Sequence, residues 1–111
     1  MSSTRSLPIQ WFTFPEVMEL ERAEHRLILL SLLLAADDEG RGFAHPTVLA
    51  CESGLFFSSE VIEEALHELE ANELVQCYQY AGQGYYQLTH WSGWQKVRNP
   101  SPSCYPAPPA I

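Results

Sequence analysis

The stretch SSEVIEEALHELEANELVQCYQYAGQGYYQL, residues 58–88, changes its period halfway along. Apolar side chains recur at Ile62, Leu66 and Leu69, joined by Val61 and Ala65, which is the spacing of one helix face. Glu60, Glu63, Glu64, His67, Glu68 and Glu70 fall mainly on the other face. Ser58 and Ser59 supply an N-terminal cap, and Asn72 suits a left-handed exit, which places a helix over 59–71. Leu74 to Tyr80 then alternates loosely and is rich in strand formers, namely Val75, Cys77, Tyr78 and Tyr80. Ala81-Gly82-Gln83-Gly84 is turn chemistry with Gln83 at the tip, and Tyr85 to Trp91 reads as the returning strand.

Upstream of this helix the pattern is helical with breaks. Trp11, Phe12 and Phe14 cluster before Pro15, with Thr13 a plausible cap, so a short helix is expected over 15–21. A main helix follows over 22–37, where Leu27, Leu30 and Leu34 repeat and Ile28, Leu29, Leu32 and Leu33 widen the stripe until most sides need cover. Asp37-Asp38-Glu39-Gly40 ends it, Gly42-Phe43-Ala44 suits a short strand, and Pro46 opens a helix over 46–53 that Gly54 stops. The order is helix, short strand, helix, helix, hairpin. That is an α+β fold of winged helix-turn-helix type: three main helices followed by a two-stranded β-hairpin wing. Residues 1–15 read as a lead, 16–98 as the domain, and 99–111 as a tail or linker, with prolines at 102, 106, 108 and 109 that forbid regular structure.

Charge is distributed unevenly. All fourteen acidic residues lie between Glu16 and Glu73, against Arg22, Arg26 and Arg41 only, and the last 38 residues carry none. The tail half holds Lys96 and Arg98, and the formal net charge is −8. Such a chain does not coat a polyanion, because nonspecific nucleic-acid affinity comes from Lys and Arg displacing counterions. A chain of 111 residues with 46% hydrophobic content is one globular domain. Cys51, Cys77 and Cys104 form neither a disulfide framework nor a close-spaced zinc site, so free thiols in the cytoplasm of a bacterial host cell are expected. Met1 to Gln10 has no apolar run of the kind a signal peptide needs. Leu27 to Ala36 is about half a bilayer span, so no membrane role is expected.

Several stretches together resemble the winged-helix domain that opens phage and prophage replication proteins of the replisome-organiser type. Leu7-Pro8-Ile9-Gln10-Trp11-Phe12 is similar to that family's I-K-P-E-F-F lead. Arg26-Leu27-Ile28-Leu29 and Leu34-Ala35-Ala36-Asp37-Asp38-Glu39-Gly40-Arg41 resemble its first long helix and A-D-D-E-G-R exit. Ile62 to Val75 resembles its third helix and the start of its wing. Tyr86 to Trp91, Trp94-Gln95-Lys96 and Pro100-Ser101-Pro102-Ser103 resemble its closing Trp, Gln-Lys and Pro-Ser pattern. Trp94 stands where the family commonly has His. Members usually continue past the Pro-rich stretch into a second domain, whereas this chain ends at Ile111. The resemblance implies a DNA-binding accessory of DNA replication.

The helix over 59–71 is the one such folds lay in the major groove. Ser58 and Ser59 suit phosphate, but Glu60, Glu63 and Glu64 repel it. The competing readings are a solvated face, a protein-contacting face and a groove reader. The wing and the following segment are the better electrostatic candidates. There Gln83, Tyr85 and Trp94 accompany Lys96 and Arg98, among further aromatics Tyr78, Tyr80, Tyr86 and Trp91 that can stack on unpaired bases. The competing reading makes these aromatics ordinary strand and core residues, with Trp91 packed on the first helix and the tail folded back onto the core. Asp37-Asp38-Glu39 reads as a solvated helix end, since consecutive carboxylates lack the spacing of a calcium loop. No nucleophile motif, phosphate-cradling loop or metal-base helix is present, so no enzyme, cofactor, metal or small-molecule substrate is expected. Two functions stand side by side. One is DNA binding through Ser58, Ser59, Gln83, Tyr85, Trp94, Lys96 and Arg98. The other is protein contact. In that case Glu60, Glu63, Glu64 and His67 dock a basic partner, or Trp11, Phe12, Phe14 and the apolar first helix pair two copies.

Overall fold

The computed structural model describes residues 4–109. Three helices do the packing: α2 (Ala23–Ala35), α3 (Pro46–Glu52) and α4 (Ser59–Ala71). Two four-residue helices, α1 (Pro15–Met18) and α5 (Trp91–Trp94), flank them, and a 3-10 turn covers Trp11–Thr13. Strands β1 (Arg41–Phe43), β2 (Val75–Tyr80) and β3 (Gln83–Leu88) form one antiparallel sheet in the order β1-β3-β2. No helix among the described residues is long and apolar enough to cross a membrane.

Helix α4 occupies its expected span because its cap is real: the Ser58 side chain accepts from the Val61 N–H at 3.3 Å. Its buried face is Ile62, Ala65, Leu66 and Leu69, which meets Ile28, Leu29, Leu32 and Leu33 of α2. Burying each such Leu or Ile contributes roughly 1.5–3 kcal/mol. The expected helix over 15–21 stops at Met18, because the Arg26 guanidinium takes the carbonyls of Val17, Met18 and Leu20 and holds the chain in a turn. Helix α2 is correspondingly shorter than 22–37. It leaves Leu27 and Leu34 exposed, seven residues apart on one stripe.

The hairpin turns on two residues, Ala81 and Gly82, both with positive φ, at 52° and 80°. This is the sign pattern of the tight turn matched to strand twist. Tyr80 therefore pairs with Gln83, two residues earlier than the four-residue turn expected from the glycines. The returning strand ends at Leu88, not Trp91. Trp91 and Trp94 lie three apart on the short helix α5 and both turn inward.

The register assigns the two sheet faces. Val75, Cys77, Gly84, Tyr86, Leu88 and Gly42 face the helices, while Gln76, Tyr78, Tyr85, Gln87, Arg41 and Phe43 face away. Tyr86 is wholly buried, and its hydroxyl donates to the Leu32 carbonyl at 2.7 Å, tying sheet to helix. Gly42 lies against that ring; a Cβ there would stand 2.6 Å from the Tyr86 oxygen. Along the free edge of β2, the Cys77 N–H donates to the Glu70 carboxylate at 2.9 Å.

The opening residues join the core. Trp11 is 1% exposed and meets Trp94 edge-on at 5.9 Å, and Phe14 stacks on Trp94 at 6.2 Å. The segment read as a lead thus supplies a central core residue. Trp91 joins the buried cluster that holds Ile28, Leu29, Leu32 and Leu33 of α2. Its ring presses on Gly40, where an added Cβ would lie 2.6 Å away, and its Nε1 donates to the Asp38 carbonyl at 2.9 Å.

Candidate functional site

Most of the cations are already engaged. Arg5 pairs with Asp38 at 3.1 Å with both side chains almost wholly buried, donates to the Ala36 carbonyl at 2.8 Å, and lies 5.1 Å above the Trp91 ring. Arg26 is held by the carbonyls of Val17, Met18 and Leu20 in and just after α1. Arg22 faces Glu24 at 3.8 Å, and Arg41 faces Glu39 at 3.8 Å while donating to Gln87 at 2.8 Å. Lys96 and Arg98 are exposed and carry no hydrogen bond or ion pair among the described residues.

Their placement follows from what lies between them. After α5 the chain is extended at Gln95, so side chains alternate. Gln95 is buried, where its side-chain oxygen accepts from the Ser6 N–H at 3.0 Å and its nitrogen donates to the Ser6 carbonyl. Val97 packs against the core. Lys96 and Arg98 are thereby both turned to solvent. They line, with Thr4, Arg5, Ser6 and Asn99, a cleft of about 420 Å³. Asn99 then turns the chain with a φ of 53°.

The acidic face of α4 divides into two sets. Glu68 is tied to His25, which is buried, with Nδ1 2.5 Å from Oε1; Glu70 is tied to the β2 edge. Burial pushes the Glu68 carboxyl up, but the His25 and Glu21 hydrogen bonds and the nearby positive charges outweigh it and hold it below the ordinary value. Glu60, Glu63 and Glu64 are exposed and carry no hydrogen bond or ion pair among the described residues. Glu63 and His67 border a groove of about 310 Å³ between α4 and the hairpin. Ser58 is exposed and Ser59 half-buried at the start of this helix. In the loop before it, Phe56 is 96% exposed with a φ of 61°, while Leu55 and Phe57 on either side pack inward. Neither the exposure nor the left-handed backbone of Phe56 is revealed by the plain run Leu55-Phe56-Phe57.

The aromatics expected to form one stacking surface beside Lys96 and Arg98 are split instead. Tyr86, Trp91 and Trp94 belong to the core, with Trp94 8% exposed. Tyr85 stacks between Phe43 at 5.5 Å and Tyr78 at 5.8 Å on the outer sheet face. Tyr80 and Gln83 are exposed beside the turn. Of the residues expected to pair two copies, Phe12 is exposed, Phe14 half-buried and Trp11 internal.

The acidic turn, expected to be solvated, instead anchors the tail. The Ser101 N–H donates to Asp38 at 3.1 Å and the Ser103 N–H to Glu39 at 2.8 Å, and the Ser103 hydroxyl donates to Asp37 at 2.5 Å. The Ser101 bond foremost, then the Arg5 guanidinium, hold the Asp38 carboxyl below its ordinary value against the opposing effect of burial. Burial, with Glu70 nearby, pushes the Cys77 thiol up to about 11, while Cys51 and Cys104 are exposed. Among the described residues no three metal-ligating side chains cluster. No protein family, no curated protein and no solved structure matches this chain.

Proposed function

We propose that this chain is a winged-helix module of the phage or prophage replication type, a binding protein that contacts DNA through the edge carrying Lys96 and Arg98. The fold reading is supported by the order α2, β1, α3, α4, then a β2–β3 hairpin with β1 beside β3. The observation that carries the DNA reading is the pair of exposed cations, free of carboxylates among the described residues, that alternation with buried Gln95 and half-buried Val97 turns outward together. Phosphate binds there by charge, and the nearby Ser6 backbone is already satisfied by Gln95. Two cations release few counterions, so the salt dependence is shallow, with a log–log slope of about −2. Anisotropy of labelled single- and double-stranded DNA at low and moderate salt tests this. Binding that weakens with salt and disappears in Lys96→Ala/Arg98→Ala is the expected result. Absence of binding at low salt, or normal binding by the double variant, overturns it.

A second reading rests on its own observation. Glu60, Glu63 and Glu64 are free of cations among the described residues, and Phe56 projects just ahead of them. This combination suits a basic protein surface with an apolar notch. Reversal of the three glutamates to Lys would break such a complex while strengthening DNA binding, so one triple variant separates the two readings.

A further inference from the structure

Residues 101–109 contain no helix or strand, yet they lie across the outer face of the sheet in a defined way. Tyr105 is the anchor: its ring sits 5.0 Å edge-on from Phe43 and 5.9 Å from Tyr85. The rest of the contact is made to backbone carbonyls. The Tyr78 hydroxyl donates to Pro106 at 2.7 Å, Arg41 to Tyr105 at 3.5 Å, and the Gln76 side chain to Pro109 at 3.4 Å. Each of these donors stands on the outward register of β1 or β2. Tyr105, Pro106 and Pro108 are half-buried, Cys104, Ala107 and Pro109 are exposed, and none of residues 101–109 is fully buried.

This is the chemistry of a receptor, not of a core. A proline-rich strand has no N–H to offer at its prolines, but its carbonyls are free and its extended form loses little entropy on binding. Aromatic rings flanked by side-chain donors are the surface that reads it. We infer that the outer sheet face, built on Phe43, Tyr78, Tyr85, Arg41 and Gln76, is a binding site for a proline-rich peptide with a Tyr-Pro step on a partner protein, and that residues 101–109 fill it in cis. The anchoring carboxylates Asp37, Asp38 and Glu39 hold the occupant in place at one end only. A partner segment displaces the tail from Tyr105 onward while Ser101 stays tied. The site uses neither Lys96 and Arg98 nor the α4 glutamates, although Tyr78 and Tyr85 also line the groove that Glu63 and His67 border.

The test uses the full chain and a fluorescent peptide with the sequence of residues 100–109 carrying Cys104→Ser. The cis tail competes at an effective concentration in the millimolar range. Wild type should therefore bind the peptide at least about tenfold more weakly than Tyr105→Ala, whose own anchor is gone. Adding Tyr78→Phe to Tyr105→Ala should remove most of the gain, and a peptide with Tyr replaced by Ala should not bind. Circular dichroism confirms that each variant keeps its fold. Equal affinity of wild type and Tyr105→Ala overturns the inference, as does no binding by a folded Tyr105→Ala. A concentration-dependent dimer of wild type that Tyr105→Ala dissolves would make the occupant a second copy's tail and overturn the assignment to a partner protein.

Discussion

The two faces of the three-stranded sheet are closed by different physics. The inner face is sealed by apolar burial, with Val75, Tyr86 and Leu88 pressed on α2 and α4 and a glycine, Gly42, shaved to fit one ring. The outer face is covered by an irregular strand held through carbonyl hydrogen bonds and one tyrosine. Burial is cooperative and tolerates no partial opening, whereas hydrogen bonds at a surface exchange with water at little net cost. The inner face therefore fixes the fold and the outer face is free to change occupants.

The largest expected break in this contrast is at the glycines. Gly40→Ala forces a Cβ into the Trp91 ring at a φ of 80°, and Gly42→Ala forces one into Tyr86. Each should lose roughly 2–4 kcal/mol, from overpacking and, at Gly40, left-handed backbone strain. Urea unfolding checks this; a loss well under 1 kcal/mol would mean the inner face is looser than described. Tyr86→Phe removes the bond to Leu32 alone and should cost about 1 kcal/mol, because the Leu32 carbonyl keeps the Ala36 N–H at 3.0 Å. Tyr105→Ala should change global stability less than either and shift only the tyrosine signals of the outer face, read by near-ultraviolet circular dichroism.

The smallest effect is with pH. The Asp38 carboxyl is held below its ordinary value of 3.8, so its contribution is fully present above that value in the folded protein. It is lost as pH falls through the lowered folded value. The upper tail, tied by Ser101, should loosen only below about pH 4, with the inner-face signals unchanged. Loosening near neutral pH would show that a group other than Asp38 controls the tail.

Much of the fold was legible because it is local. Helix α4 was bounded correctly by a serine cap and a 3-and-4 spacing, both contained within fourteen residues. The hairpin was legible as a hairpin, but not its register, since Ala81 occupies a left-handed position that its side chain does not advertise. Thr89 to Trp91 continued the strand pattern by composition, although the spacing of three between Trp91 and Trp94 already favoured one helical face. The sorting of the tyrosines was available from alternation alone, which puts Tyr86 inward and Tyr85 outward. The roles of Asp37, Asp38 and Glu39 were not legible, because their partners Ser101 and Ser103 lie more than sixty residues away. The exposure of Phe56 was equally hidden, set by a backbone angle and not by hydrophobicity.

Glu70 has a consequence outside recognition altogether. Strand β2 forms one border of the sheet, and an unpaired border invites the same border of another molecule to add to it. By accepting the Cys77 N–H, the Glu70 carboxylate occupies a donor that such an addition would require, and it brings a negative charge to the place where two borders would meet. One side chain on the acidic helix thus blocks part of this border to an added strand.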